Sequence, residues 1–456
     1  MAMPNQMVAE VEPGAGADTN SGWWAPLKSD NSTVYAGTDR TQQTGPYVGF
    51  NGTTITATIA ATGATITITG YTVQTVDVGN TLRIASGTGS WTTGLFQIQS
   101  VNTGSNTWTL DRNVATGASS ALIGTMGGAL ATLKQAFADI TASVAVTSGS
   151  LNDCTIWYKS GTDTITSGLT IPVQYGLLVH GYQTTRGDNT GTRPLLTTAT
   201  NSVNMITAAQ SGNTSSATFN NVTFSNTAGT VGYGFYAPSG GVGRNITLIN
   251  CKLSGFISAV FGNNNTNFYW DTLIMLQTEV ASCTSDGVNN AGSNFLDGCY
   301  IHGNGATGLT TINPASSTCN TVLLNSVFAT NTTHGVYFQG GSAGMACVAI
   351  NCIFYNNTDA GIRIQSTAAP QAGFMLVNNI FQSNGTYGID NQGNTSSFYG
   401  LGPFNRLNNF FYLNGAALNN LPAETTDITG TASAFVTAGS NFALNTTAGG
   451  GAAVVV

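Results

Sequence analysis

Two different rhythms of apolar and polar residues divide the chain. Between residues 45 and 125, short runs alternate with a period of two: TTITATIA, ATITITG, NTLRIAS, GLFQIQSV and NTWTLDR, separated by Gly, Asn and Ser. Such alternation turns one face of a strand inward and the other outward, and the separating residues are those of tight turns. Hairpins closing a small sandwich or barrel are predicted there. From about residue 219 a longer rhythm takes over. Phe224, Leu253, Val280, Ile301, Phe328, Phe354, Phe381 and Phe411 recur at spacings of 29, 27, 21, 27, 26, 27 and 30. Three residues before these anchors stand Asn221, Asn250, Gln277, Gly298, Asn325, Asn351, Asn378 and Asn408. Three residues after the later anchors stand Asn304, Asn331, Asn357, Asn384 and Asn414, and eight after come Gly-aliphatic pairs such as Gly335-Val336 and Gly361-Ile362.

A repeat of this length is one turn of a solenoid, which cannot bury its own apolar face and so stacks on its neighbours at the strand spacing of about 4.8 Å. Equivalent apolar positions then form inward stacks. Equivalent amides, here the column Asn221, Asn250, Gln277, Asn325, Asn351, Asn378 and Asn408, are expected to hydrogen-bond up and down the stack as a structural ladder. Leucine-rich repeats are excluded by the absence of their Leu and Asn pattern. The amide columns, the irregular period and the Gly-aliphatic pairs resemble the pectate-lyase-like right-handed parallel β-helix. An all-β fold of that type is therefore expected over 128–456. Leu130, Leu133, Phe137 and Ile140 stand at helical spacing, so a short helix at about 130–140 is expected to cap the solenoid's open end. Residues 45–127 form the smaller β-rich module. Residues 1–44 lack periodicity and read as an extended arm, with Trp23 and Trp24 as attachment anchors. The tail SNFALNTTAGGGAAVVV reads as a closing coil. The stretches CTIWYKSGTDTITSGLTIP and LLVHGYQTTRGDNTGTRPLLTTAT are similar to the first coils of phage and bacterial β-helix proteins, and DVGNTLRI and NTWTLDR resemble a module that precedes β-helices in phage structural proteins.

Composition narrows the partners. Only 7% of the 456 residues are charged, with 12 Lys plus Arg, no basic cluster and a net charge of −7. Nucleic acid binding through counterion release needs several neighbouring cations, so it is not expected. Neither is membrane insertion, since no apolar run reaches the 18 or so residues that span a bilayer. The N-terminus lacks a basic start and an apolar core, which points to synthesis in a host cytoplasm without classical export. Seven cysteines with no CxxC pair suggest buried free thiols rather than a metal or redox site. Cys251, Cys299 and Cys352 share a column but are separated by Thr278 and Ser326, about 10 Å apart and too far to bridge. No cofactor and no metal site is expected.

The β-helix resemblance brings carbohydrate enzymes into view, so candidate chemistry needs testing residue by residue. His334-Gly335 and Arg363-Ile364-Gln365 partly match the His-Gly and Arg-Ile-Lys motifs of galacturonan hydrolases, but the lysine position is Gln365 and no Asp-Asp pair exists. Asp286, Thr307 and His334 fall in one column, with the first and last two coils apart, about 10 Å. One carboxylate on that column is not the acid and base pair that glycoside hydrolysis needs, so no catalytic set is expected, and Asp286, His334 and Arg363 are the candidates should one exist; Tyr337, Tyr387 and Thr307 are candidates for carbohydrate contact. Lys252 with Glu279, and Arg363 with Asp390, share columns on adjacent coils and are expected to pair. Asp188, within Arg186-Gly187-Asp188, is expected to make a turn. The resemblance to phage proteins implies a non-enzymatic structural protein on the surface of a phage particle, a decoration, fibre or tail appendage, forming a homotrimer, contacting other particle proteins and in reach of host surface polysaccharide. A polysaccharide-degrading lyase or glycosidase, and a bacterial surface adhesin, are the alternatives.

Overall fold

The protein is described by a computed structural model over residues 7–25, 37–42, 52–143, 154–171, 176–189, 191–208, 215–228, 232–238, 244–262, 270–312, 319–340, 345–365, 373–392, 404–422, 424–437, 439 and 441–444. Two compact units are formed, one by residues 1–165, 171–196 and 216–223, the other by 166–170, 197–215 and 224–456.

In the first unit the alternating runs close into a six-stranded barrel, Thr53–Ile59, Thr65–Thr69, Thr81–Thr88, Gly94–Asn102, Thr107–Leu110 and Ser119–Met126. The last of these strands is not among the five predicted runs. Ile55, Ile66, Leu82, Phe96, Trp108 and Leu122 fill its core. The helix runs over Leu133–Ser143, three residues later than the apolar spacing suggests. Its start is fixed by polar groups: Thr132 Oγ1 accepts from Gln135 N (3.1 Å), and Asp163 Oδ2 accepts from Leu133 N (2.7 Å).

The N-terminal residues are no extended arm. Met7–Val11 pairs in parallel with Cys154–Lys159, from Met7 beside Cys154 to Val11 beside Tyr158, and Trp23–Trp24 pairs antiparallel with Met7–Val11. Trp23 is fully buried in its own unit, with Nε1 donating to Asp139 Oδ2 (3.0 Å), so its indole is not offered to another surface. Trp24 is half-buried beside it. A strand that occupies the sheet edge satisfies backbone groups otherwise left bare. Asp188 makes the expected turn, accepting from the backbone N–H of Gln183, Thr184 and Thr185 at 2.7–2.8 Å.

The second unit is a right-handed parallel β-helix. Each coil contributes a strand to three parallel sheets: the first from Arg244–Ile249 to Phe404–Leu407, the second from Lys252–Ser254 to Ile428–Thr429, the third from Leu169–Thr170 to Ala416–Asn419. The anchors superimpose as predicted: Phe328, Phe354, Phe381 and Phe411 stack at 5.4, 4.8 and 5.0 Å with ring planes within 8°. The Gly column is a close-approach requirement. A Cβ on Gly308, Gly335 or Gly361 would lie 2.6–2.7 Å from the carbonyl oxygen of the next glycine in the stack. All seven cysteines are buried and free. The spacers between them are more than filler: Thr278 and Ser326 hydroxyls accept from the backbone N–H of Cys251 (3.4 Å) and Cys299 (3.1 Å), and Asn379 does the same for Cys352 (2.9 Å).

The ladder role expected of the first amide column falls to the second. The column before the anchors sits at a bend in the left-handed region, with φ between 48° and 58° from Asn221 to Asn408. Asn is the non-glycine residue that adopts this region most readily, which explains why Gly298, at φ 63°, replaces an amide on one coil. Most of this column faces solvent, and Asn351 Nδ2 to Asn325 Oδ1 (3.3 Å) is a link within it. The buried ladder is the column after the anchors. Asn304, Asn331, Asn357 and Asn384 each donate from Nδ2 to the Oδ1 of the next member, ending at Asn414, at 2.9–3.0 Å. Replacing Asn351 by Gly is therefore expected to leave stability nearly unchanged, whereas Asn351→Val is expected to cost about 1–2 kcal/mol. Urea unfolding of the two variants checks this; equal losses would return the column to a ladder role.

The tail segment is no closing coil over its described part. Phe435–Thr437 and Asn441–Leu444 form an antiparallel hairpin on the outer face of the second sheet. There Phe442 packs edge-on to Tyr355 (5.5 Å) and Phe435 (5.2 Å). Residues 445–456 lie outside the described residues.

Candidate functional site

The outward side of the third sheet gathers the candidate chemistry. Parallel pairing places Tyr236, Phe261, Asn289, Thr310, Tyr337, Arg363, Asp390 and Asn419 in one row, each beside the next. Strands rise one spacing of about 4.8 Å per coil, so the row runs along the solenoid axis. Its first end is aromatic. Tyr233 stacks on Phe261 (4.0 Å, 13°) and on Tyr236 (5.4 Å, 10°), all three half-buried. Its other end is charged.

Beside the row, in the turn that enters each strand, lies the predicted column Asp286, Thr307 and His334. Its register is confirmed by Gly287 N to Thr307 O (2.8 Å) and Gly308 N to His334 O (2.9 Å). Asp286 accepts from Thr307 N (3.0 Å) and Asn289 Nδ2 (2.9 Å). Burial raises its pKa against those hydrogen bonds, which favours the protonated acid. Thr307 is buried, and its hydroxyl meets that of Thr333 (2.9 Å), so it is spent inside the fold rather than presented to a ligand. Tyr387 follows Ala360 in the adjacent coil and is half-buried.

A residue that column reasoning misses completes the cluster. Asp359 lies one position before the column, where the sequence shows only Asp-Ala ahead of Gly361-Ile362. Arg363 Nη1 donates to Asp359 Oδ2 (2.9 Å), and Arg363 Nε lies 3.6 Å from Asp390 Oδ2. The expected Arg363–Asp390 pair is thus a three-member group. Asp390 is fully buried and also accepts from Asn419 Nδ2 (2.8 Å) and Gln392 Nε2 (3.0 Å). His334 Nδ1 stands 3.7 Å from Asp359 Oδ2 and has no hydrogen-bond partner among the described residues. The His334 and Tyr337 rings are 5.3 Å apart, and the Tyr337 hydroxyl hydrogen-bonds Gln365, the residue that stands where the lysine of the matched motif would be. The other predicted pair, Lys252 with Glu279, forms at 2.9 Å and is joined by His302 Nε2 (3.3 Å).

Burial pushes the pKa of His334 down to about 4, with the Asp359 carboxylate acting in the opposite direction. The folded state therefore holds a neutral imidazole that the unfolded chain would protonate. Its contribution to stability is complete above about pH 6.5 and is lost as pH falls towards 4. Wild type is expected to lose on the order of 3 kcal/mol more than His334→Asn across that interval, since every tenfold change in proton affinity is worth about 1.4 kcal/mol. Denaturant midpoints at the two pH values measure it; parallel curves would refute it. Among the described residues no group of three His, Cys, Asp or Glu is placed to hold a metal ion.

Residues 206–401 match a family described as right handed beta helix region. No curated protein matches the sequence. Similar solved structures include the catalytic unit of a thermostable α-1,3-glucanase from Streptomyces thermodiastaticus, 11% identical over 91% of this chain and 96% of that one, with a TM-score of 0.35. Another is an α-1,3-glucanase catalytic domain with bound tetrasaccharides, 11% identical over 92% and 94%, with a TM-score of 0.34. A third is a periplasmic alginate epimerase, 13% identical over 61% and 74%, with a TM-score of 0.29. Likenesses of this degree carry no argument about chemistry. The expectation of a non-enzymatic structural protein on a phage particle nevertheless does not stand. The structures named above are, by their descriptions, glucanase catalytic domains and an alginate epimerase, not particle proteins.

Proposed function

We propose that this β-helix is a polysaccharide-active enzyme that lays a neutral glycan along its third sheet. The observation that carries this reading is the registered row from Tyr236 to Asn419. Aromatic faces at one end take pyranose rings, and the Asn289 amide, the Tyr337 ring, the Arg363 guanidinium and the Asn419 amide follow along the row, with Thr310 and Asp390 buried between them. Charge selects the glycan class. Asp359 and Asp390 outnumber Arg363, with which both are paired, so a polyanion is disfavoured.

The chemistry assigned to the row is hydrolysis of a glycosidic bond. Asp286, inclined by burial to keep its proton, is the donor to the leaving oxygen. His334, neutral and with Nδ1 beside Asp359, is the acceptor that takes a proton from water. Two coils separate donor and acceptor, about 10 Å, just beyond the roughly 6.5–9.5 Å of inverting hydrolysis, so the two side chains must lean towards each other to hold a water between them.

The test is the release of reducing ends from soluble neutral polysaccharides, with binding followed separately by affinity electrophoresis. Asp286→Asn is expected to lower turnover at least about 100-fold with little change in binding. Phe261→Ala is expected to weaken binding about tenfold through loss of a stacking surface. Binding without turnover in wild type would remove the enzymatic reading, and absence of binding would remove the whole of it.

A further inference from the structure

We infer that the outer face of the first sheet is a self-association surface that binds a second copy of this chain. Strand alternation drives Leu273, Leu296, Leu323 and Leu376 fully inward on that sheet. The side chains between them ought to be polar, as on any strand with a solvated face. They are not. Ile274, Phe295, Val322, Val348 and Met375 stand in register on five successive coils. A parallel column runs from Ile249 to Leu407, in which Asp297 interrupts the aliphatics. These side chains are half-buried at most, and Met375 and Leu407 are 36% and 47% exposed.

The second sheet shows how the same chain treats such a face. Val327, Ile353, Ile380 and Phe410 line up outward there too. At Ile380 and Phe410 the C-terminal hairpin covers them with Phe435 and Phe442. An apolar column on this protein is thus matched by an apolar cover.

Size and charge identify the cover for the first sheet. Seven strands give six steps of about 4.8 Å, roughly 29 Å, and three outward columns span roughly 20 Å. The whole face is about 600 Å² in projection, approaching the roughly 800 Å² per partner of a standard specific interface, and its two apolar columns make about 400 Å² of it, as large as the largest apolar patch of a typical monomer. No cation lies in the two apolar columns, and their lone carboxylate, Asp297, already accepts from Asn325 Nδ2 (2.9 Å). An acidic, basic or lipid-headgroup partner finds nothing to pair with. A flat apolar sheet is best met by another of the same shape, and sheet faces pack aligned over such cores.

The experiment is sedimentation equilibrium of the full chain at micromolar concentration. Wild type is expected to be a dimer or higher oligomer. Val348→Asp, an outward change that leaves the solenoid core intact, is expected to weaken association at least tenfold, while Asn320→Lys, exposed on the same sheet outside the apolar columns, is not. A second measurement stands apart from that variant's folding. All native cysteines are buried, so Val322→Cys is expected to cross-link chain to chain with a short bifunctional maleimide. A monomeric wild type, or an oligomer that Val348→Asp leaves intact and Val322→Cys does not cross-link, would overturn the inference.

Discussion

Replacing Asn357 by Leu is expected to remove about 3–5 kcal/mol of stability, because it orphans several buried groups together. Asn357 Oδ1 accepts from Asn331 N (3.2 Å) and Asn331 Nδ2 (3.0 Å). Its own N and Nδ2 donate to Asn384 Oδ1 (3.2 and 2.9 Å), and Nδ2 also reaches Phe328 O (3.1 Å). Leucine has nearly the same size but keeps only the backbone N–H bond to Asn384, and water has no access to a ladder that is fully buried on both sides. A buried donor without a partner costs more than the hydrogen bond it made. The ladder's last member provides the comparison. Asn414 is half-buried and accepts on one side only, so Asn414→Leu is expected to cost about half as much. Chemical denaturation of both variants reads the difference; losses below about 1 kcal/mol at Asn357 would mean the ladder is incidental.

Arg186→Met is the second large effect, expected to destabilise the protein by about 3–5 kcal/mol. Glu10 is fully buried, brought inside by the Met7–Val11 strand, and its carboxylate is held by Arg186 Nε (2.7 Å) and by the Tyr182 hydroxyl. The same guanidinium reaches Asp39 Oδ2 (2.6 Å) and Thr41 Oγ1 (2.7 Å). Methionine keeps the stem and strands two carboxylates in a poorly solvated place. Burial pushes the pKa of Glu10 up to about 8 even with Arg186 beside it, so the loss should be largest in alkaline solution and shrink as protonation relieves Glu10 towards neutral pH. The double variant Glu10→Gln/Arg186→Met should recover at least half of it, because removing both charges removes the desolvation penalty with the attraction. Thermal unfolding of the three variants tests this, and equal losses in single and double variants would show that packing rather than charge is at stake. The Arg186-Gly187-Asp188 sequence is thus unavailable as a recognition motif, since its arginine is committed to the interior.

Both effects involve residues whose importance is unevenly legible. The stacked anchors can be read from spacing alone, because an inward position must recur whenever coils superimpose. The amide columns can be located in the same way, but the ladder expected of the first is formed by the second. A column of Asn signals either a left-handed bend or a buried amide, and only the backbone angle at Asn351 and the burial of Asn357 tell them apart. Glu10 gives no local signal, since five residues near the N-terminus carry no period and their partner strand begins 147 residues later than theirs, at Cys154. Asp359 is hidden for a related reason: it belongs to the charged cluster through Arg363, four residues on, and not through the column beside it.

What the sequence determined by itself is the winding. Coil length, inward stacks, the close-packed glycines and the alternating barrel strands all follow from periodicities that backbone geometry imposes on neighbouring residues. What only the tertiary structure decided is which surfaces the winding leaves bare and which it covers. The inserted N-terminal strand, the hairpin over the second sheet and the meeting of Asp359, His334 and Arg363 depend on contacts between residues far apart or out of step. Coils of 21 to 30 residues superimpose in register only once they are folded, and no local pattern records the result.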